Sequence, residues 1–368
     1  MLTHMRRLLS LSTAMIVAST AIASAEPSAE LIAAAKAEGN LTTIALPHDW
    51  CGYGGVIAGF KAKYPEITVN ELNPDAGSAD EVEAIKANKD NKGPQAPDVI
   101  DVGLSFGPSS KAEGLTQPYK VSTWDEIPDT IKDADGHWYG DYYGVMSLLV
   151  NKDLVANTPK DWADLLKPEY AGQVALAGDP RASNQAILGV LAAGLASGAA
   201  AGQAAGEAGL KYFGELNKAG NFVPVIGKSG TLAQGATPII VMWDYNALAA
   251  KDTLAGNPPV EVVVPAKGVL AGVYVQAISA YAPHPNAAKL WMEYLYSDEG
   301  QLAWLKGYCH PARFNAMAAA GKIPKELLDK LPPAESYAAA YFPTLEEVDA
   351  NKAAVTGGWD KVVGANVQ

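Results

Sequence analysis

The sequence predicts an α/β protein with mostly parallel sheets, and three observations carry that prediction. The chain opens strand-loop-helix-strand, with LTTIAL at Leu41 to Leu46, a helix from Val56 to Tyr64 stopped by Pro65, and ITVNEL at Ile67 to Leu72. LTTIAL is β-branched and apolar enough for a buried strand, and DVIDVG, Asp98 to Gly103, reads as another. About 340 residues beyond the leader are more than one hydrophobic core usually serves, so two domains are expected.

The leader is residues 1–25. Arg6 and Arg7 precede an apolar run, Leu8 to Ala21, too short to span a bilayer comfortably, and Ala23-Ser24-Ala25 offers a cleavage site. An exported protein is expected, with no cysteine after the cleavage point to carry a lipid. Loss of Arg6 and Arg7 takes the net charge from −12 to about −14. Such acidity argues against nucleic acid and anionic membranes as partners. It does not exclude an anionic ligand held by local donors, because distant charge is screened. Cys51 and Cys309 are the only cysteines. Export permits one disulfide between them, and two buried free thiols are the alternative.

Further along, Ala79 to Asn88 is helical and Val145 to Asn151 is strand-like. Val174 to Leu191, VALAGDPRASNQAILGVL, reads as a buried strand, a tight polar loop and a helix start. Ser183 or Asn184 can cap that helix, and its first amides carry partial positive charge. With Arg181 alongside, the loop is suited to an anion, or is simply a well-capped helix. The Gly- and Ala-rich stretch from Ser197 to Ala208 precedes a helical pattern through Leu216, so packed helices are expected there. Strands follow at Pro238 to Met242, Val260 to Pro265 and Val273 to Ser279, then a helix from Asn286 to Tyr296 and surface helices in the tail. No internal repeat is present.

Catalysis finds little support: there is no nucleophile elbow, no His-x-x-His or cysteine cluster and no Walker loop. No cofactor is expected. An exported α/β hydrolytic enzyme is the alternative of another class.

The order of several stretches is similar to the periplasmic substrate-binding proteins of ABC importers, in the branch with ferric-ion, polyamine, phosphonate, thiamine and sugar-phosphate binders. They are LTTIAL with its loop, APDVIDVG, YYGVMSLLVNKDLV, DWADLLKPEYAGQVALAGDPRASNQ, PIIVMWDYN and ISAYAPHPNAAKLWMEYLYSDEGQ. The resemblance implies a two-lobed fold, type II in that class, with two mostly parallel sheets flanked by helices and a ligand cleft and hinge between the lobes. Residues 26–120 with 248–310 would form one lobe, and 121–247 with 311–368 the other. It also implies a monomer that binds a small polar solute in the periplasm and hands it to a membrane permease.

Loops at strand ends would then converge on the cleft. His48, Asp49, Trp50 and Tyr53 would wall it from the first lobe, although a Trp there is as readily a cap on the core. Ser105 and Phe106 would add a hydroxyl and a ring, or merely cap a helix. Tyr143 is a candidate cleft ring. A ferric site made by Tyr142 and Tyr143 is disfavoured, since alternation points neighbouring side chains to opposite faces. Arg181, Ser183 and Asn184 would meet an anion. Trp243, Asp244 and Tyr245 follow a buried strand, and Asp244 would pair with an amine or cap a helix. Tyr274 and Gln276 lie on a strand returning to the first lobe. Arg313 suits either a phosphate or a hinge salt bridge. An organophosphate, aminophosphonate or sugar phosphate is expected as ligand, with a polyamine or ferric ion as alternatives.

Overall fold

The computed structural model describes residues 26–331 and 340–368. The expected signal peptide lies outside the described residues. After helix α1 (Ala29–Glu38), strand β1 (Asn40–Ile44), helix α2 (Tyr53–Lys63) and strand β2 (Thr68–Leu72) make the expected opening, with β1 and β2 parallel. Helix α3 (Ser78–Ala87), strand β3 (Val99–Gly103), helix α4 (Phe106–Ala112) and the short strand β4 (Thr116–Gln117) follow.

Strand β5 (Tyr139–Asn151) is the organising element. It begins at Tyr139, ahead of the apolar run that marks it in sequence. Next come β6 (Val174–Leu176), α5 (Asn184–Ala196), α6 (Gln203–Lys218), α7 (Ser229–Ala233), β7 (Ile239–Trp243), α8 (Asp244–Leu254), β8 (Val260–Val263) and β9 (Ala271–Ser279). The C-terminal part holds α9 (Pro285–Leu295), α10 (Asp298–Lys306), β10 (His310–Pro311), α11 (Phe314–Ala319), α12 (Lys325–Leu328) and α13 (Leu345–Val362).

The first half of β5 pairs with β9, which also pairs with β3. The second half of β5 pairs with β7 and β8, and β7 pairs with β6. One long strand thus belongs to two neighbouring sheet regions, and helices pack on both, α3 and α4 on the first and α5 on the second, with α6 and α13 packed on α5. Residues 244–263 go with the second region, because α8 packs on β5 and β7 and β8 pairs with Leu148 to Asn151.

The expectation of mostly parallel sheets is corrected. Among the described strands two pairings are parallel, β1 with β2 and β6 with β7, and six are antiparallel. β5 and β9 are buried along almost their whole length. A continuous apolar run reports burial on both faces, and that burial is the same whichever way the neighbouring strand runs.

A bulge in β5 matters for the site. Tyr139 and Gly140 face Gln276 and Val275, but Tyr143 faces Val273, so Asp141 and Tyr142 together oppose one residue. Bulges re-aim side chains. Here Tyr142 turns into the interior, while Tyr143 stacks on the His310 ring at 5.0 Å.

Candidate functional site

A cleft of about 630 Å³ opens between the two sheet regions, within the size range of small-molecule sites. Its first side is made by the loops after β1 and β2, with Asp49, Trp50, Asp75 and Gly77. The opposite side comes from the loop after β6, with Asp179, Ser183 and Gln185, from Gly227 to Thr231, and from Asn246 on α8. These are strand ends and helix starts, where backbone amides lack intrahelical partners. Gly77 is the N-cap residue of α3 and Ser183 that of α5. The two come close: a methyl group at Gly77 would lie 3.4 Å from the Ala182 carbonyl oxygen. Lys228 is the one basic residue lining the cleft among the described residues. Its Nζ is 2.8 Å from Asp75 Oδ1 on the other side.

The acidic residues of the cleft are mostly engaged already. Asp80 accepts from the Gly77 amide at 2.9 Å. Asp179 receives Nε and Nη2 of Arg181 at 2.9 and 2.8 Å. Gln185, in the first turn of α5, ties the loop after β6 to the end of β7, donating to the Ala177 carbonyl at 2.8 Å and accepting from the Trp243 amide at 2.8 Å.

Behind Trp50 lies a second, fully buried group of residues. Trp50 Nε1 donates to the Tyr142 hydroxyl at 2.7 Å, and Tyr142 and Tyr53 donate to Asp101 Oδ2 at 2.7 and 2.8 Å. Gln276 Nε2 donates to the Tyr53 oxygen at 2.8 Å and to Asp141 Oδ2 at 3.0 Å. The rings of Tyr142 and Tyr274 stack at 5.4 Å, and Trp50 meets Tyr245 and Tyr274 edge-on at 5.7 and 5.4 Å. Trp243 stacks on Tyr245. Burial pushes the Asp101 carboxyl up to about 6, against the hydrogen bonds from Tyr142 and Tyr53 that hold it down. Burial and then the charge of Asp101 raise Asp141 well above the usual carboxylate range. Glu81 is raised by burial, then by Asp101, whose backbone amide it accepts at 2.8 Å.

The candidate residues therefore divide. Asp49, Trp50 and Ser183 line the cleft. Tyr53, Trp243, Tyr245 and Tyr274 belong to the buried group. Asp244 is buried, and its Oδ1 accepts the Val145 amide at 2.8 Å. Asn184 is buried against Gly103, where a β-carbon would collide with the Asn184 amide. His48 turns outward and pairs with Glu71 at 2.6 Å. Ser105 and Phe106 are buried at the start of α4, and Lys352 sits over the Phe106 ring. Arg181 does not line the cleft; beyond Asp179 it reaches Asp360 at 3.3 Å and Asn366 at 3.0 Å in the C-terminal tail. Arg313 is buried and binds Glu126, Asp298 and the Tyr296 carbonyl, so its guanidinium is taken up by the protein's own groups. Cys51 and Cys309 form a disulfide with Cα atoms 5.5 Å apart, fixing the Trp50 loop to the turn after α10. Among the described residues no cluster of three His, Cys, Asp or Glu is placed to hold a metal.

Missing from the candidates were Asp75, Gly77, Gln185 and Lys228. The rule that ligands sit at strand ends, applied to β2, points to Asn73 through Gly77. Lys228 had only a Gly-rich loop to mark it.

The architecture is that of two-lobed periplasmic binding proteins. The structure aligns with the periplasmic binding protein AfuA of Actinobacillus pleuropneumoniae, determined with fructose-6-phosphate bound, at a TM-score of 0.66 and 19% identity, over 88% of this chain and 99% of that one. A putative spermidine/putrescine ABC transporter protein from Listeria monocytogenes aligns at 0.61 and 15% identity, over 88% and 99%. A Haemophilus influenzae protein of uncharacterized role is 29% identical over 248 residues, 63% of this chain and 66% of that protein, just under two thirds of its length. Residues 95–338 match the bacterial extracellular solute-binding protein family. The chain belongs to that family, which makes it a solute-binding protein and not an enzyme.

Proposed function

We propose that the chain is a periplasmic receptor that closes as a monomer on a small organic phosphate, phosphonate or sugar phosphate and delivers it to an ABC-importer permease. The carrying observation is the meeting of the α3 and α5 N-caps with Lys228 in a cleft walled by Trp50. Helix-start amides and an ammonium suit an anionic group, and an indole face suits the rest of a sugar or carbon skeleton. The fructose-6-phosphate bound to AfuA supports the same ligand class. The division into lobes fits best as residues 26–120 with 264–310, and 121–263 with 311–368, which moves residues 248–263 into the second lobe.

One observation favours a second reading. Asp49 lines the cleft, is exposed and has no ion pair among the described residues, and the Listeria protein is named for polyamines. An aminophosphonate would use Asp49 and the helix starts together. The test is a thermal-unfolding screen of the mature chain against phosphate esters, aminophosphonates and polyamines. A ligand at a hundred times its Kd adds about 2.7 kcal/mol to stability. A rise in the midpoint with the phosphorus compounds alone supports the first reading, and a rise with spermidine alone replaces it with the second.

A further inference from the structure

We propose that two lysines of the second lobe clasp the first lobe, Lys228 through Asp75 across the cleft and Lys352 through the ring of Phe106 away from it, and that these clasps set the balance between open and closed receptor. The proposal rests on the receptor reading above. It concerns closure, not ligand chemistry.

Lys228 precedes α7 and Asp75 follows β2, so their 2.8 Å contact joins the two sides of the cleft directly. Lys352 lies on α13, which packs on α5 and α6, while Phe106 opens α4, which packs on β3 and β9. Lys352 Nζ is 3.2 Å from the Phe106 ring centroid. The ammonium is half-buried and makes no ion pair among the described residues, so the ring face is its main partner. Burial accordingly holds Lys352 below the usual lysine range, with Asp349 and Glu113 opposing and Lys86 adding to the effect. The arrangement also reassigns Phe106: in this conformation the lysine covers the ring, which is not presented to the cleft.

Both contacts exist only while the lobes meet. A hinge opening separates Asp75 from Lys228 and returns Lys352 to water, so each contact favours the closed state by its own differential stability. An exposed ion pair shifts a two-state ratio by up to about fivefold. A partly desolvated cation over a ring shifts it by roughly tenfold.

The experiment is a pulsed electron-spin distance measurement on the mature chain, with genetically encoded spin labels at Glu83 on α3 and Lys361 on α13, which leave the disulfide intact. The ligand-free native chain should show a closed population. Asp75→Lys should lower the closed-to-open ratio about fivefold, and Lys352→Met about tenfold. Asp75→Lys combined with Lys228→Asp should restore it, and Lys352→Arg should keep it. Unchanged distributions in the single variants, a charge swap that fails to restore the ratio, or a ligand-free native chain that is wholly open would each overturn the proposal. Failure of the receptor reading is separate: fructose 6-phosphate, 2-aminoethylphosphonate and spermidine would all leave the native distribution unmoved.

Discussion

The cleft and the buried group behind it share Trp50 and little else. In the cleft, side chains are mostly exposed or half-buried, come from loops and helix starts, and one pair, Lys228 with Asp75, reaches across it. In the buried group, side chains from β3, β5, β7 and β9 and the starts of α2 and α8 hold one another with hydrogen bonds and ring contacts. The difference separates recognition from leverage. The cleft can exchange its contacts for those of a solute, whereas the buried group holds β3, β5, β9 and the Trp50 indole in one arrangement. Substitutions in the two places should therefore fail in different ways, which gives the comparison its tests.

The largest effect is expected at Trp243. Its side chain is fully buried and stacks on Tyr245. Trp243→Ala should cost about 3–5 kcal/mol of stability, whereas Asp49→Ala in the cleft should change stability by no more than about 0.5 kcal/mol. Urea unfolding of the two variants checks both. Similar losses at the two positions would erase the distinction between the regions.

A smaller effect is expected from protonation, and it sharpens the comparison because the buried group holds carboxyls that burial raises. Asp101 titrates at about 6 in the folded chain, against about 3.9 when unfolded. Its folded value is the higher one, so its contribution to stability is complete below about pH 4. That contribution is lost as the pH rises through about 6, because the unfolded chain gives up the proton first. Asp141 is raised in the same sense. The unfolding midpoint of native chain minus that of Asp101→Asn should therefore fall between pH 4 and pH 7. A flat difference would mean that the carboxylate is accommodated charged.

The sequence made the α/β class legible because buried strands and helix periodicity leave local marks. Strand direction left none, so the antiparallel pairing of β5 with β9 and β7 was beyond its reach. The same limit applied to the site. Asp49, Trp50 and Ser183, singled out by their place at strand ends and helix starts, do line the cleft. Tyr53 and Tyr274 looked equivalent on the same grounds, yet Asp101 and Tyr142 draw both inward. The Asp141–Tyr142 bulge that aims Tyr142 at Asp101 has no local signature. Arg181 was singled out as a cation beside a helix start, but Asp179, two residues earlier, occupies its guanidinium. Lys228 was passed over because its partner, Asp75, lies 153 residues away.

The smallest effect on stability, and the finest test of the cleft, comes from setting Ser183 against Arg181. Ser183 is half-buried on the cleft wall and makes no side-chain bond to its helix, so its hydroxyl is available to a solute. Arg181 holds the β6–α5 loop to the C-terminal tail through Asp179, Asp360 and Asn366. Ser183→Ala should weaken binding of a phosphate-bearing solute roughly tenfold, the loss of one hydrogen bond to a charged group, and leave the unfolding midpoint in place. Arg181→Ala should do the reverse, costing on the order of 1 kcal/mol of stability with binding changed little. Titration calorimetry and thermal unfolding on both variants decide it. Equal loss of affinity in the two would mean that Arg181 leaves Asp179 to meet the solute when the cleft is filled.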